Sequence, residues 1–133
     1  MATIRSMAAL EVRDVEASHR FYLRLGFGTL GVWFPDDVVT TIVQRGDVTI
    51  LLQKSAQPSV NKGLAVFVYV DDPDALQTEF IEEGIEQLDA VEDAFYGCRQ
   101  FEVIDPDGHN IIFAKDMSEE PFGLGLGPDR GRG

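Results

Sequence analysis

A shift of 58 residues lays Asp14 on Asp72, Ala17 on Ala75, Tyr22 on Phe80, Gly26 on Gly84 and Phe27 on Ile85. In each copy the Asp opens a stretch of helical period that the Gly closes. The carboxylate can accept from the free amides of the first turn, and the glycine can take the left-handed backbone that ends a helix. Pro73 adds a residue suited to the first helical position. A repeat of this length, with one helix in each copy, restricts the fold to two similar units, each burying a helix against its own strands.

Strands fill the rest of each copy. Residues 7–13 alternate, with Ala8, Leu10 and Val12 on one face and Met7, Ala9, Glu11 and Arg13 on the other. After the first helix come three predicted strands, about 27–34, 38–44 and 48–54, separated by Pro35-Asp36-Asp37 and Gly46-Asp47. The second copy follows with strands near 63–70, 86–91, 97–104 and 109–115, the last two joined by Asp105-Pro106-Asp107-Gly108, a type I turn sequence. The polar stretch 55–62, with Pro58, reads as a linker. The class is α+β: a single domain over 1–117 made of two βαβββ modules, about 5–54 and 63–116, that form a cupped mixed sheet. The glycine-rich segment 118–133 is expected to be a disordered tail.

One helix per sheet leaves the other sheet face for a ligand. Alternation puts Leu10, Val12, Leu64, Val66, Val68, Ile111 and Phe113 under the helices. Their neighbours then line the cup: Met7, Ala9, Glu11, Thr49, Leu51, Gln53, Ala65, Phe67, Tyr69, Gln100, Glu102, Asn110 and Ile112. A register slip of one residue would invert both sets.

The net charge of −12 opposes nucleic-acid binding, because a phosphate backbone would be repelled. It favours a cationic ligand, or serves solubility alone. No apolar run is long enough to cross a bilayer, and residues 1–7 hold no secretory apolar region, so the expected compartment is the cytoplasm. Cys98 is the sole cysteine and is expected to pack as a small apolar side chain. His19 and His109, in a helix and a turn, are expected in surface or supporting roles.

The run from Leu10 to Ser18 with Phe21-Tyr22 and Leu25-Gly26-Phe27, and the ending from Gly97 to Phe101 through Asp105-Pro106-Asp107-Gly108, resemble the vicinal oxygen chelate superfamily. That superfamily includes glyoxalases, bleomycin-resistance proteins and extradiol dioxygenases, and the likeness spans about residues 5–116. Its fold hosts lyases, isomerases, oxygenases and simple binders, so fold alone does not give function. In metal-dependent members four inward positions supply ligands; the resemblance places these at Met7, Leu51, Ala65 and Ile112, none of which offers a hard oxygen or an imidazole. No metal or other cofactor is therefore expected. Where glyoxalase I carries a basic residue for the glutathione carboxylate, this chain resembles it with the sign reversed, at Glu11. Glu11 either faces a cation or pairs with Arg13 or Arg99 at a solvated strand end.

Within the superfamily the chain is most similar to the bleomycin-resistance proteins, which are metal-free and acidic and bind a cationic glycopeptide in clefts between two subunits. The likeness implies a homodimer that sequesters a cationic or aromatic small molecule, with ligand contacts from Glu11, Trp33, Phe34, Phe67, Tyr69, Tyr96, Glu102 and Asn110, and with Asp36 and Asp37 nearby. Strand aromatics such as Phe67 also serve as core, so both roles stay open. The alternatives are a lyase, isomerase or dioxygenase-like enzyme with Glu11 or Glu102 as base or with an unusual metal site, and a domain that docks another protein.

Overall fold

The computed structural model describes residues 1–34, 36–60 and 64–118. Ten elements follow in the order β1 (Ala8–Val12), α1 (Val15–Arg24), β2 (Gly28–Trp33), β3 (Thr40–Arg45), β4 (Val48–Lys54), β5 (Ala65–Tyr69), α2 (Pro73–Glu82), β6 (Glu92–Asp93), β7 (Cys98–Ile104) and β8 (Asn110–Asp116). This is the expected βαβββ order, twice. The chain divides into two compact units: Met1–Leu64 with Asp105–His109, and Ala65–Ile104 with Asn110–Gly133. The expected tail lies, beyond Ser118, outside the described residues.

In the first unit the strand order is β1-β4-β3-β2, with β1 parallel to β4 and the other pairs antiparallel. The parallel pair needs a crossover, which α1 supplies. Asp14 caps α1 by accepting from the Ala17 amide at 3.1 Å, and Gly26 leaves it at φ 85°. The helix buries Val15, Ser18, Phe21 and Tyr22, while Val12, Val43, Ile50 and Leu52 are fully buried in the sheet. Tyr22 meets Phe21 and Phe27 edge-on, at 5.4 and 5.8 Å between centroids. Its hydroxyl donates to Asp105 Oδ2 at 2.9 Å, and Asp105 Oδ1 accepts from the amides of Asp107 and His109 at 2.9 and 2.8 Å. The turn from Asp105 to His109 thus belongs chemically to the first unit, a contact across 83 residues of sequence.

The second unit repeats the plan as β5-β8-β7-β6, with β5 parallel to β8. Asp72 caps α2 through the Ala75 amide at 3.1 Å, Pro73 sits in its first turn, and Gly84 exits at φ 79°. Under α2, Phe80 packs edge-on against Phe101 and Phe113 at 5.8 and 5.2 Å, and those two stack on each other at 5.5 Å from opposed positions on β7 and β8.

Three expectations change. The strand near 86–91 does not form: only Glu92–Asp93 ladders, with an isolated bridge from Leu88 to Val103. There the Asp89 carboxylate takes the Glu102 amide at 2.6 Å, doing with a side chain what a ladder carbonyl would do. Leu64, expected under a helix, precedes β5 and is 65% exposed. Thr49, expected to line the open face, is buried, and its hydroxyl donates to the Ser6 carbonyl at 3.1 Å.

Candidate functional site

Alternation holds along the paired strands except at a shift of register in β2 between Thr29 and Gly31, and each helix covers one face of its own sheet. On the second sheet the opposite, open face carries Ala65, Phe67 and Tyr69 of β5, Asn110, Ile112 and Ala114 of β8, and Cys98, Gln100 and Glu102 of β7, in continuous register. Three rings cluster there, with Phe95 as a fourth at their margin. Phe67 stacks with Tyr69 at 6.3 Å and meets Tyr96 edge-on at 6.4 Å, and Phe95 meets Tyr96 edge-on at 5.2 Å. The Tyr96 hydroxyl donates to Gln100 Oε1 through a short hydrogen bond. Phe67 and Tyr69 remain 42% and 48% exposed, large areas for aromatic rings in contact.

The electrostatics of this face follow from partial burial. Burial pushes the Tyr69 phenol up, helped by Cys98, Asp116 and Tyr96 nearby, and burial likewise raises Tyr96 against the opposing bond to Gln100. The Cys98 thiol is raised by burial and by Asp116, which keeps it protonated and a poor nucleophile. Its expected packing role agrees with its burial. Burial, then the Asp89 carboxylate, raises the Glu102 carboxyl. A nearby cation would favour the ionised form of such an acid and oppose this rise.

The open face of the first sheet is different. Glu11 lies opposite Gln53, Leu51 opposite Ile42 and Ala9, and Thr40 opposite Gln53 and Trp33. Thr40 donates to Gln53 Oε1 at 2.7 Å. Glu11 holds the linker: its carboxylate accepts the Ser59 amide at 2.7 Å, and its carbonyl accepts from His109 Nε2 at 2.6 Å. Of the two arginines named as alternative partners of Glu11, Arg99 grips Asp74 at 2.7 Å and Asp93 at 3.1 Å; the Arg13 backbone amide donates to Asp107 Oδ1 at 2.9 Å. Glu11 and Trp33 sit on the two edge strands of this sheet, about 14 Å apart across three strand spacings.

Trp33 is 47% exposed, and Phe34 beyond it is 68% exposed with φ 58°. A left-handed backbone costs a bulky residue on the order of 1 kcal/mol, and a ring left in solvent does little to offset it. Asp37 donates its amide to the Phe34 carbonyl at 2.9 Å, and Asp36 and Asp37 line a polar groove of about 340 Å³ beside the start of α1, where Asp37 pairs with Lys54 at 3.6 Å. His19 shares a 2.6 Å hydrogen bond with Thr29, and His109 is buried, so both have structural partners.

The site residues expected from sequence therefore separate into two groups. Phe67, Tyr69, Glu102 and Asn110 share one face with Tyr96 against it; Glu11 and Trp33 belong to the other sheet. Sequence reading missed Phe95, Gln100 as the Tyr96 partner and Asp89 beside Glu102. The first is visible as an aromatic pair before Gly97, while the others depend on the irregular edge.

The donor chemistry of a metal site does not fit. Leu51 and Ile112 offer only hydrocarbon from the open-face register, Ala65 opens β5, and Met7 precedes β1 with only a thioether. Among the described residues no group of three or more His, Cys, Asp or Glu is placed to hold a metal ion. Among them, too, no helix is long and apolar enough to cross a membrane.

A family model described as the Glyoxalase/Bleomycin resistance protein/Dioxygenase superfamily matches residues 5–113. A bleomycin-binding protein complexed with bleomycin superposes with TM-score 0.73 at 22% identity, over 85% of this chain and 98% of that one. A bleomycin resistance determinant encoded on the transposon Tn5 also gives 0.73 at 22% identity, over 86% and 98%. The bleomycin-binding protein from bleomycin-producing Streptomyces verticillus, complexed with copper(II)-bleomycin, gives 0.68 at 24%, over 86% and 98%. No curated protein sequence is a significant match.

Proposed function

The chain belongs to the glyoxalase/bleomycin resistance protein/dioxygenase superfamily, and from that premise we propose that it is a metal-independent binding protein that sequesters a planar, cationic small molecule. The observation that carries this reading is the group of Phe67, Tyr69 and Tyr96, rings in mutual contact on a sheet face no helix covers, the first two nearly half exposed. A planar ligand stacked there would gain about 0.5 to 1.5 kcal/mol per ring beyond area burial. Glu102, with its carboxyl already pushed up, would oppose the positive charge, and Asn110 on the same face would donate or accept a hydrogen bond. Glu11, Trp33 and Phe34 are the ligand contacts proposed for the first sheet.

The reading includes a cytoplasmic homodimer, in which a second copy closes the ligand in. That two of the solved relatives hold bleomycin supports a ligand of that type. The test is isothermal titration with metal-free bleomycin, phleomycin and a panel of basic planar compounds. Saturable binding below millimolar by at least one of them is expected; none would remove the reading.

One observation favours a second reading. A raised carboxyl such as Glu102 is also what a general base needs, so a lyase or isomerase of this superfamily would use it. Stoichiometric nickel, zinc, iron or manganese in the purified protein would move the assignment towards an enzyme with an unusual metal site.

A further inference from the structure

Two glycines lie in β2, and they are not equivalent. A β-carbon placed on Gly28 would meet nothing nearer than the Gln44 carbonyl oxygen at 3.8 Å. One placed on Gly31 would stand 2.7 Å from Cη2, 2.8 Å from Cζ3 and 3.6 Å from Cζ2 of the Trp33 indole. Carbon atoms in good contact stay about 3.5–4.0 Å apart, so the first two distances are impossible for a real side chain. All three atoms belong to the six-membered ring of Trp33. That ring therefore folds back along its own strand and rests where the Gly31 side chain would be.

Gly31 is absent from the glycines with positive φ, and it lies in β2 opposite Ile42, directly after a shift of register between Thr29 and Gly31. A glycine eases the bend of a strand at such an irregularity, and here it also leaves the space in which the indole lies. Trp33 is on the edge strand and nearly half exposed, and the six-membered part of its ring lies over Gly31.

We infer that Gly31 is a positioning residue: the missing side chain seats the Trp33 indole flat on the open face of the first sheet and leaves its outer face presented for stacking. This rests on the proposed binding role and deepens it, because it assigns the first sheet a preset platform for a planar, π-rich group. A preset ring loses less conformational freedom on binding than one that must be ordered by the ligand. The clash is with the far end of a side chain rather than with backbone, so Gly31→Ala should fold normally and only lift the ring.

Trp33 is the single tryptophan of the chain, so its fluorescence reports this site alone. The experiment compares wild type, Gly31→Ala and Gly28→Ala without ligand, by emission maximum and acrylamide quenching, and then by titration with metal-free bleomycin. Expected for Gly31→Ala are a longer-wavelength emission, a larger quenching constant, an unchanged melting temperature, and an affinity lower by roughly threefold to tenfold, the worth of one stacked ring. Gly28→Ala should match wild type throughout. Emission and quenching unchanged in Gly31→Ala would overturn the inference whatever the titration shows. Failure of wild type to bind bleomycin, with the ligand-free shift present, would count against the binding role while leaving the seat of Trp33 established.

Discussion

The two sheets bury the same kind of layer and expose different ones. Beneath the helices, Tyr22 and Phe80 occupy one repeat position, both fully buried and both ringed by edge-on aromatic contacts. On the open faces, the first sheet shows one indole, a hydrogen-bonded Thr40–Gln53 pair and a Glu that holds its own linker, whereas the second shows three touching rings and a Glu with a raised carboxyl. The difference teaches that the repeat preserves what each helix must pack against. Nothing in helix packing constrains the other side, where the halves are free to divide the work of recognition.

The sharpest test of the shared layer is truncation within it. Phe80→Ala should destabilise the protein by about 3–5 kcal/mol in chemical denaturation, since Phe101 and Phe113 both lose the ring they pack against. If Tyr22 were only a matching apolar plug, its hydroxyl partner would be dispensable. Instead Asp105→Ala should cost about 2–3 kcal/mol, because the Tyr22 hydroxyl and two amides are left unpaired in a buried place. A cost near zero would make the two layers equivalent after all.

The open faces are compared by ligand affinity. Tyr69→Ala should weaken metal-free bleomycin binding by about tenfold, the upper end for one stacked ring, with little loss of fold stability because the ring is half exposed. Equal losses from Thr40→Ala on the first sheet would erase the distinction. The charge contribution is smaller and depends on pH. Binding a cation requires ionised Glu102; its folded carboxyl lies above the ordinary value, so affinity should be full at neutral pH and fall as pH drops through that raised range. Glu102→Gln should lower affinity by a few-fold at neutral pH and flatten the dependence. The smallest effect concerns backbone strain: Phe34→Gly should change stability by no more than about 1 kcal/mol, upwards if the left-handed strain outweighs the entropy glycine adds to the unfolded chain.

What was legible in the sequence is what is local. Asp14, Asp72, Pro73, Gly26 and Gly84 act within one helical turn, and each does in the structure what its chemistry implies. Alternation in β1, β5 and β8 assigned which residues share the open faces, because one sheet side is buried under a helix. The missing strand near 86–91 was not legible, since the Asp89 side chain replaces a ladder bond and no period records that. Thr49 is covered by Ser6 and Asp105 is tied to Tyr22, contacts that only the tertiary fold makes. For the candidate site residues, the division between two sheets and the position of the Trp33 ring over Gly31 depend on strand pairing and side-chain direction that no local pattern encodes.

The central claim is recognition by aromatic and acidic side chains without a metal. Its most direct test is calorimetric titration of metal-free bleomycin into the protein as purified and into protein stripped with a chelator that is then dialysed away. The account predicts saturable binding to the stripped protein with the affinity of the unstripped one. Loss of binding on stripping would contradict it.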